Sequence, residues 1–247
     1  MSKFAVILPA AGQSSRFGQG VKKPFIALDG RPVWQRTAER FANREDVSQV
    51  FLVISPEDRE MVEDRHQANL SFLGIKLVDG GSERFESVAN ALKLVDDDVA
   101  FVAVHDAVRP CVKSGDIDRV FATAEKCGAA LLGVPVQDTL KRLDPDSKVS
   151  ETVPRRGLWQ AQTPQVARRD WMMNAYANRV KLTGAITDDS QLLEAAGYPV
   201  VMVEGSPTNL KITTKEDMII ATAILGAKLG EKVKKQYHPF ADEEGQW

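Results

Sequence analysis

Short apolar runs alternate with segments of helical periodicity along most of the chain, and that alternation restricts the fold more than any single motif. The runs are Phe4–Leu8, Val50–Ile54, Ile75–Val78, Val99–Val104, Ala129–Val134 and Val200–Val203. Several have no polar alternate, as expected of strands covered on both faces. Between them lie Pro32–Asn43, Glu57–Asn69, Glu83–Val95, Ser114–Cys127, Arg168–Lys181 and Asp188–Ala196. Each of these repeats apolar residues with a period of about 3.6. Pro32 suits a first helical turn, and Ser114 suits an N-cap. The alternation predicts an α/β fold, a mostly parallel twisted sheet with helices on both faces. A chain of 247 residues has room for one large domain of this kind. Residues 1–230 read as that domain and 231–247 as a C-terminal tail.

One segment breaks the rhythm. From Gln137 to Arg156 the polar alternation Thr139-Leu140-Lys141-Arg142-Leu143 turns at Asp144-Pro145-Asp146-Ser147 and resumes at Val149–Val153. That is a β-hairpin pattern, too polar to fill a core, so it is expected to project as an arm over residues 137–156. A lone two-stranded ribbon is marginal, which implies a partner subunit covering it.

Chemistry should gather where strands end. After Phe4–Leu8 come Pro9-Ala10-Ala11-Gly12, then Arg16, then Lys22-Lys23-Pro24. Small residues let backbone N–H groups approach an anion, and Arg16 and Lys23 add charge against phosphates. The loop fits neither the Walker A pattern nor the three-glycine dinucleotide pattern, and an ordinary strand-to-helix turn is the competing reading. After Val99–Val104 come His105-Asp106-Ala107-Val108-Arg109. Asp106 there either helps hold a divalent cation together with substrate phosphates or pairs locally with Arg109. His105, adjacent to Asp106 on a strand, points to the opposite face and reads as structural. Asp79-Gly80-Gly81-Ser82-Glu83-Arg84, running on to Ser87, reads equally as a wall for a base or ribose and as a glycine turn, with Ser82 capping the next helix. Lys211, alone in the strand-like run Asn209–Thr213, is either functional or an edge lysine reaching solvent. Asp96–Asp98 reads as a solvated acidic run, and Trp159 and Phe85 read as packing residues.

Composition excludes several classes. A net charge of −2 provides no basic field for nucleic acid. Cys111 and Cys127 have no metal-ligand spacing and fit a reducing compartment. No run approaches 18 apolar residues, the length a membrane span requires, and the N-terminal apolar run reads as a strand and not as a leader. The expected location is cytoplasmic.

Jointly, in order and spacing, these segments resemble the 2-C-methyl-D-erythritol 4-phosphate cytidylyltransferase family from Phe4 to about Ile220. Pro135-Val136 with Asp138-Thr139 and Lys141, Gly157-Leu158-Trp159, Thr163-Pro164-Gln165, Thr187-Asp188, Glu204-Gly205, and Asn209 with Lys211 carry the likeness further. The resemblance implies a Rossmann-like nucleotidyltransferase fold and a homodimer whose β-arm enters the neighbouring subunit. It implies transfer of CMP from CTP to 2-C-methyl-D-erythritol 4-phosphate with release of pyrophosphate, in non-mevalonate isoprenoid biosynthesis, with Mg²⁺ or another divalent cation as cofactor. By position, Arg16, Lys23, Arg155 and Lys211 would be catalytic. Pro9, Ala10, Ala11, Gly12, Gly81, Ser82, Ser87 and Ala107 would bind the nucleotide. Asp106, Arg109 and Lys211 of one subunit, with Thr139 and Arg155 from the other, would bind the acceptor. Mg²⁺ would rest mostly on substrate phosphates, with Asp106 nearby. Ser14, Phe17, Ser82 and Val108 stand where the family usually has Gly, Met, Asp and Ala. Another polyol phosphate such as ribitol 5-phosphate is the alternative acceptor, and a sugar-nucleotide-dependent glycosyltransferase is the more distant alternative.

Overall fold

A computed structural model describes residues 2–12, 22–179 and 186–233, with side chains to 227. Seven strands form one sheet: β1 (Phe4–Pro9), β4 (Val47–Ile54), β5 (Ile75–Asp79), β6 (Phe101–Val104), β7 (Ala129–Pro135), β10 (Trp159–Arg168) and β11 (Val201–Glu204), while β2 (Ala27–Leu28) and β3 (Arg31–Pro32) pair separately as a short antiparallel ribbon. The order across the large sheet is β11-β7-β10-β6-β1-β4-β5. All neighbouring pairs are parallel except those of β10, which runs antiparallel to both β6 and β7. The mostly parallel sheet is as expected. β10 was not foreseen as a strand, because its sequence, Trp-Gln-Ala-Gln-Thr-Pro-Gln, is polar and contains a proline.

Alternate residues of the central strands feed two cores. Phe4, Val6 and Leu8 face one side, with Trp34, Phe41, Val62, Leu70, Val120 and Phe121 from α1 (Val33–Ala42), α2 (Arg59–Phe72) and α4 (Ser114–Cys127). Ala5 and Ile7 face the other, with Val88, Leu92, Met172, Leu192 and Leu193 from α3 (Arg84–Leu92), α5 (Arg169–Ala177) and α6 (Asp189–Ala195). This two-sided burial is why the strands carry no polar alternate. The Phe4 ring stacks at 4.0 Å on Phe121 and 5.3 Å on Phe101, tying β1 to α4 and β6. A smaller cluster, including Leu28, Val33, Cys111 and Ile212, receives Ala221 and Leu225 of α7 (Lys215–Val233).

Two expected caps differ. α4 is preceded by Lys113 as N-cap, with Ser114 already helical and making no capping bond. Before α3 the cap is Glu83 and not Ser82, because Glu83 and Glu86 exchange side-chain and backbone hydrogen bonds in a reciprocal capping box. The expected hairpin is present. β8 (Leu140–Leu143) pairs antiparallel with β9 (Val149–Val153) as a separate two-stranded sheet, mostly exposed. Its turn is held by Asp144, whose Oδ1 accepts from the Asp146 and Lys148 backbone N–H groups at 3.0 and 2.9 Å. Trp159, expected to pack, is exposed near the base of this arm, as is Leu158. Cys111 is buried and Cys127 is exposed. Among the described residues, no helix is long and apolar enough to cross a membrane.

Candidate active site

The chain runs from β1 through β4 to β5 on one side of β1, then returns with β6 on the other. Ligands settle beyond the carboxyl ends of strands where the order reverses in this way. A cleft of about 500 Å³ lies there. Four strand ends build it: Pro9–Gly12 after β1, Ser55–Glu57 after β4, Gly80–Arg84 after β5, and Asp106 and Val108 after β6. Lys23, Pro24, Ser87 and Lys211 complete it.

The loop side is held by backbone. Ala10 N–H donates to the Val53 carbonyl at 2.7 Å, Gly80 N–H to Ile54 at 2.7 Å, and the Ser55 hydroxyl to Ala11 at 2.9 Å. Gly81 N–H donates to Ser87 Oγ at 3.1 Å, while Ser82 donates through its N–H and hydroxyl to Glu86 Oε2 at 2.9 and 2.6 Å. The two glycines are required by space. A Cβ on Gly80 would stand 2.7 Å from Ala11 Cβ, and one on Gly81 would stand 2.4 Å from Glu86 Cβ. Lys22 bonds Asp58 and Glu57 at 2.7 and 2.8 Å, fixing the chain just before Lys23.

The opposite side is ionic. Asp106, buried, meets Arg109 Nε and Lys211 Nζ at 3.1 Å each and Arg84 Nε at 3.6 Å. Burial pushes its carboxyl up, but Arg84, Lys211 and Arg109 outweigh this and hold it well below the usual carboxylate range. Arg84 loses hydration, yet Asp189 and Asp106 keep its guanidinium firmly charged. The local Asp106–Arg109 pair foreseen from sequence is therefore real, and it belongs to a larger cluster. Beneath it, His105 is fully buried with Nε2 at 3.1 Å from the Arg109 carbonyl and Nδ1 at 3.1 Å from Thr163 Oγ1. A carbonyl only accepts, so Nε2 carries the proton and Nδ1 receives the Thr163 hydroxyl. Burial lowers the His105 pKa to about 4. The structural reading of His105 stands.

Pro9, Ala10, Ala11, Gly12, Lys23, Gly81, Ser82, Ser87, Asp106 and Lys211 thus share one cleft. Ala107 does not line it: the residue is wholly buried, and its carbonyl accepts from Thr37 at 2.8 Å. Arg109 supports Asp106 and donates to the Asn209 carbonyl at 2.8 Å. Lys211 lies in a loop and not in an edge strand, because Asn209 and its neighbours turn back toward Asp106. Thr139 and Arg155 are exposed at the base of the arm. Arg16, Ser14 and Phe17 lie outside the described residues, as does the tail from 234. Sequence reasoning passed over Ser55-Pro56-Glu57, whose polar residues resemble any helix start, and gave no role to Arg84.

A family model described as IspD, 2-C-methyl-D-erythritol 4-phosphate cytidylyltransferase, matches residues 4–227. The chain belongs to this family. It is 46% identical over 233 residues to the 2-C-methyl-D-erythritol 4-phosphate cytidylyltransferase of Rhodopirellula baltica, covering 90% of this chain and 94% of that protein. The Bacillus velezensis enzyme of the same name is 42% identical, with 92% and 98% covered. The crystal structure of 4-diphosphocytidyl-2C-methyl-D-erythritol synthase from Anaerococcus prevotii superposes with a TM-score of 0.77 at 29% identity, covering 91% of this chain and 96% of that one. The fold is accordingly the Rossmann-like nucleotidyltransferase fold of the IspD structures, a mostly parallel sheet with helices.

As a direct metal ligand in this IspD family member, Asp106 does not fit. Its two oxygens already face three cations. Mg²⁺ prefers one or two uncommitted carboxylates beside substrate phosphates.

Proposed function

We infer that this chain transfers CMP from CTP to 2-C-methyl-D-erythritol 4-phosphate and releases pyrophosphate, a step of isoprenoid precursor biosynthesis. The observation that carries this reading is a strand-end cleft in which a small-residue loop faces Lys211 and a cation-ringed Asp106, with Lys23 also lining it. A phosphate oxygen of the acceptor attacks the α-phosphorus of CTP, one P–O bond forms, and the bond to the β-phosphate's bridging oxygen breaks. The attacking phosphate has its second pKa near 6, so it is mostly dianionic at neutral pH and requires no general base. Its obstacle is charge. At about 4 Å and an effective dielectric near 20, each pair of like unit charges costs about 4 kcal/mol. Fixed cations and positioning are what lower such a barrier.

In this reading Arg16 and Lys23 stabilise the reacting α-phosphate. Pro9 to Gly12, Gly81, Ser82 and Ser87 hold the base and ribose, and Asp106, Arg109 and Lys211 position the acceptor. The exposed arm supports a homodimer, with Thr139 and Arg155 of the partner subunit completing the acceptor site. Mg²⁺ would be held by substrate phosphates and would supply further positive charge against them. The setting is cytoplasmic.

The test is pyrophosphate release with CTP, UTP or ATP crossed with methylerythritol 4-phosphate or ribitol 5-phosphate. The expected result is turnover for CTP with methylerythritol 4-phosphate. Preference for ribitol 5-phosphate overturns the acceptor, and CTP binding without pyrophosphate release overturns the activity.

A further inference from the structure

Two motifs that the reaction leaves without a role, Thr163-Pro164-Gln165 and Thr187-Asp188-Asp189, converge behind the ionic wall. Arg84 donates through Nη1 and Nη2 to the two carboxylate oxygens of Asp189 at 3.0 and 2.8 Å. Its Nε edge faces Asp106 at 3.6 Å. Asp189 does not line the cleft; it is 1% exposed and also accepts the Tyr176 hydroxyl at 2.5 Å. The first turn of α6, which carries Asp189, is fastened to β10. Gln165 Nε2 donates to Asp188 Oδ2 at 3.0 Å, and Ser190 N–H donates to Gln165 Oε1 at 2.8 Å. Two residues earlier on β10, Thr163 Oγ1 accepts the Asp106 N–H at 3.1 Å. One strand therefore sets both the Asp106 backbone and, through α6, the guanidinium that faces its side chain.

We propose that Asp189 is a positioning residue that acts through Arg84 to hold Asp106 ready for the acceptor. The guanidinium is a planar fork with a fixed geometry. While Asp189 holds one N–H of each Nη, the guanidinium plane is fixed and its Nε edge stands 3.6 Å from Asp106, short of a close grip on it. Without the Asp189 charge, the fork is free to turn and close bidentately on Asp106, the tighter arrangement for an arginine and a carboxylate. Asp106 would then be occupied when the acceptor arrives. The nucleotide-facing loops are fixed by bonds to Val53, Ile54 and Glu86, none of which involves the Arg84 or Asp189 side chain.

This rests on the proposed transferase reaction, and the test separates the two. Steady-state kinetics with each substrate varied in turn would compare the wild type, Asp189→Asn, Arg84→Gln and the double variant, alongside thermal unfolding. Asp189→Asn is expected to raise the acceptor KM about tenfold and to leave the CTP KM within about twofold. The double variant is expected to be no worse than Arg84→Gln alone, since both changes break one chain of contacts. Equal rises in both KM values, or multiplicative losses in the double variant, overturn the proposal. If Asp189→Asn does not fold, Tyr176→Phe keeps the charge and should give a smaller acceptor-selective rise of about two- to threefold. No selective rise there overturns it. If the wild type releases no pyrophosphate with methylerythritol phosphate, the transferase reading fails on its own. The positioning claim is then judged by NMR: the Arg84 Nε–H resonance must move in Asp189→Asn, and an unmoved resonance sinks it.

Discussion

The two walls of the cleft are made of different materials. The loop wall, Pro9–Gly12 with Gly80–Ser82 and Ser87, is small side chains and backbone hydrogen bonds. The opposite wall is a buried carboxylate ringed by Arg84, Arg109 and Lys211. One wall is limited by volume and the other by charge, so the same size of substitution should do different things on each. On the loop wall an added methyl group should alter shape and stability. On the ionic wall a neutralised group should alter binding or rate, because charges there interact in a low-dielectric setting.

Lys23 belongs to neither wall, and its loss should produce the largest effect. Lys23→Ala should lower kcat by about 10²–10³, the usual cost of removing a group aimed at developing charge, with little change in the KM for CTP. A rise in KM alone would show that Lys23 binds only the ground state. The next effect should come from the loop wall. Gly81→Ala places a Cβ 2.4 Å from Glu86 Cβ and 2.8 Å from its carboxylate, inside the capping box of α3. Overpacking of this kind costs about 1–3 kcal/mol. For a chain of this size that is a fall of roughly 2–4 °C in Tm per kcal/mol, readable by calorimetry. The CTP KM should rise with it. An unchanged Tm would mean that the wall yields, and the contrast between the two walls would lose its basis.

The loop wall was legible in the sequence and the ionic wall only in part, for physical reasons. Pro9-Ala10-Ala11-Gly12 and Gly80-Gly81 advertise themselves, since small residues directly after an apolar strand have few other uses. Asp106 and Arg109 were visible as neighbours in sequence. Their link to Arg84, Lys211 and Asp189 crosses 22, 105 and 83 positions and depends on β10, a polar strand with no apolar run to announce it. The alternation that revealed the parallel strands fails there because Gln162, Thr163 and Gln165 are buried by hydrogen bonding and not by hydrophobicity.

His105 sharpens the comparison from below the ionic wall. Its pKa is about 4 when folded and about 6.5 when unfolded. Above pH 6.5 both states are neutral and stability is unaffected. As pH falls, only the unfolded chain takes up the proton, so stability drops from about pH 6.5 down to about pH 4. Between pH 7 and pH 5 the loss should be about 2 kcal/mol, measurable by urea unfolding at the two pH values. His105→Asn should remove most of that slope. The Asp106 carboxyl, held well below its usual range, remains ionised throughout this window and does not contribute.

The smallest effect should come from the arm, where the same arginine–carboxylate pairing recurs in water. Arg142 Nε meets Glu151 at 2.7 Å, shorter than the 3.1 Å from Arg109 to Asp106. By distance alone it is the stronger bond. But the Arg142 and Glu151 side chains are 66% and 53% exposed, whereas Arg109 and Asp106 are 12% and 8% exposed. Solvent screens the first pair, and holding two long side chains together costs entropy, so Arg142→Ala should change stability by no more than about 1 kcal/mol. Arg109→Ala leaves a buried carboxylate short of one partner, a loss that elsewhere costs about 3–5 kcal/mol, here reduced by the remaining contacts with Lys211 and Arg84. Side-by-side denaturation of the two variants checks this ordering. If Arg142→Ala proves the more costly, burial is not what gives the ionic wall its strength, and the arm must be covered in solution.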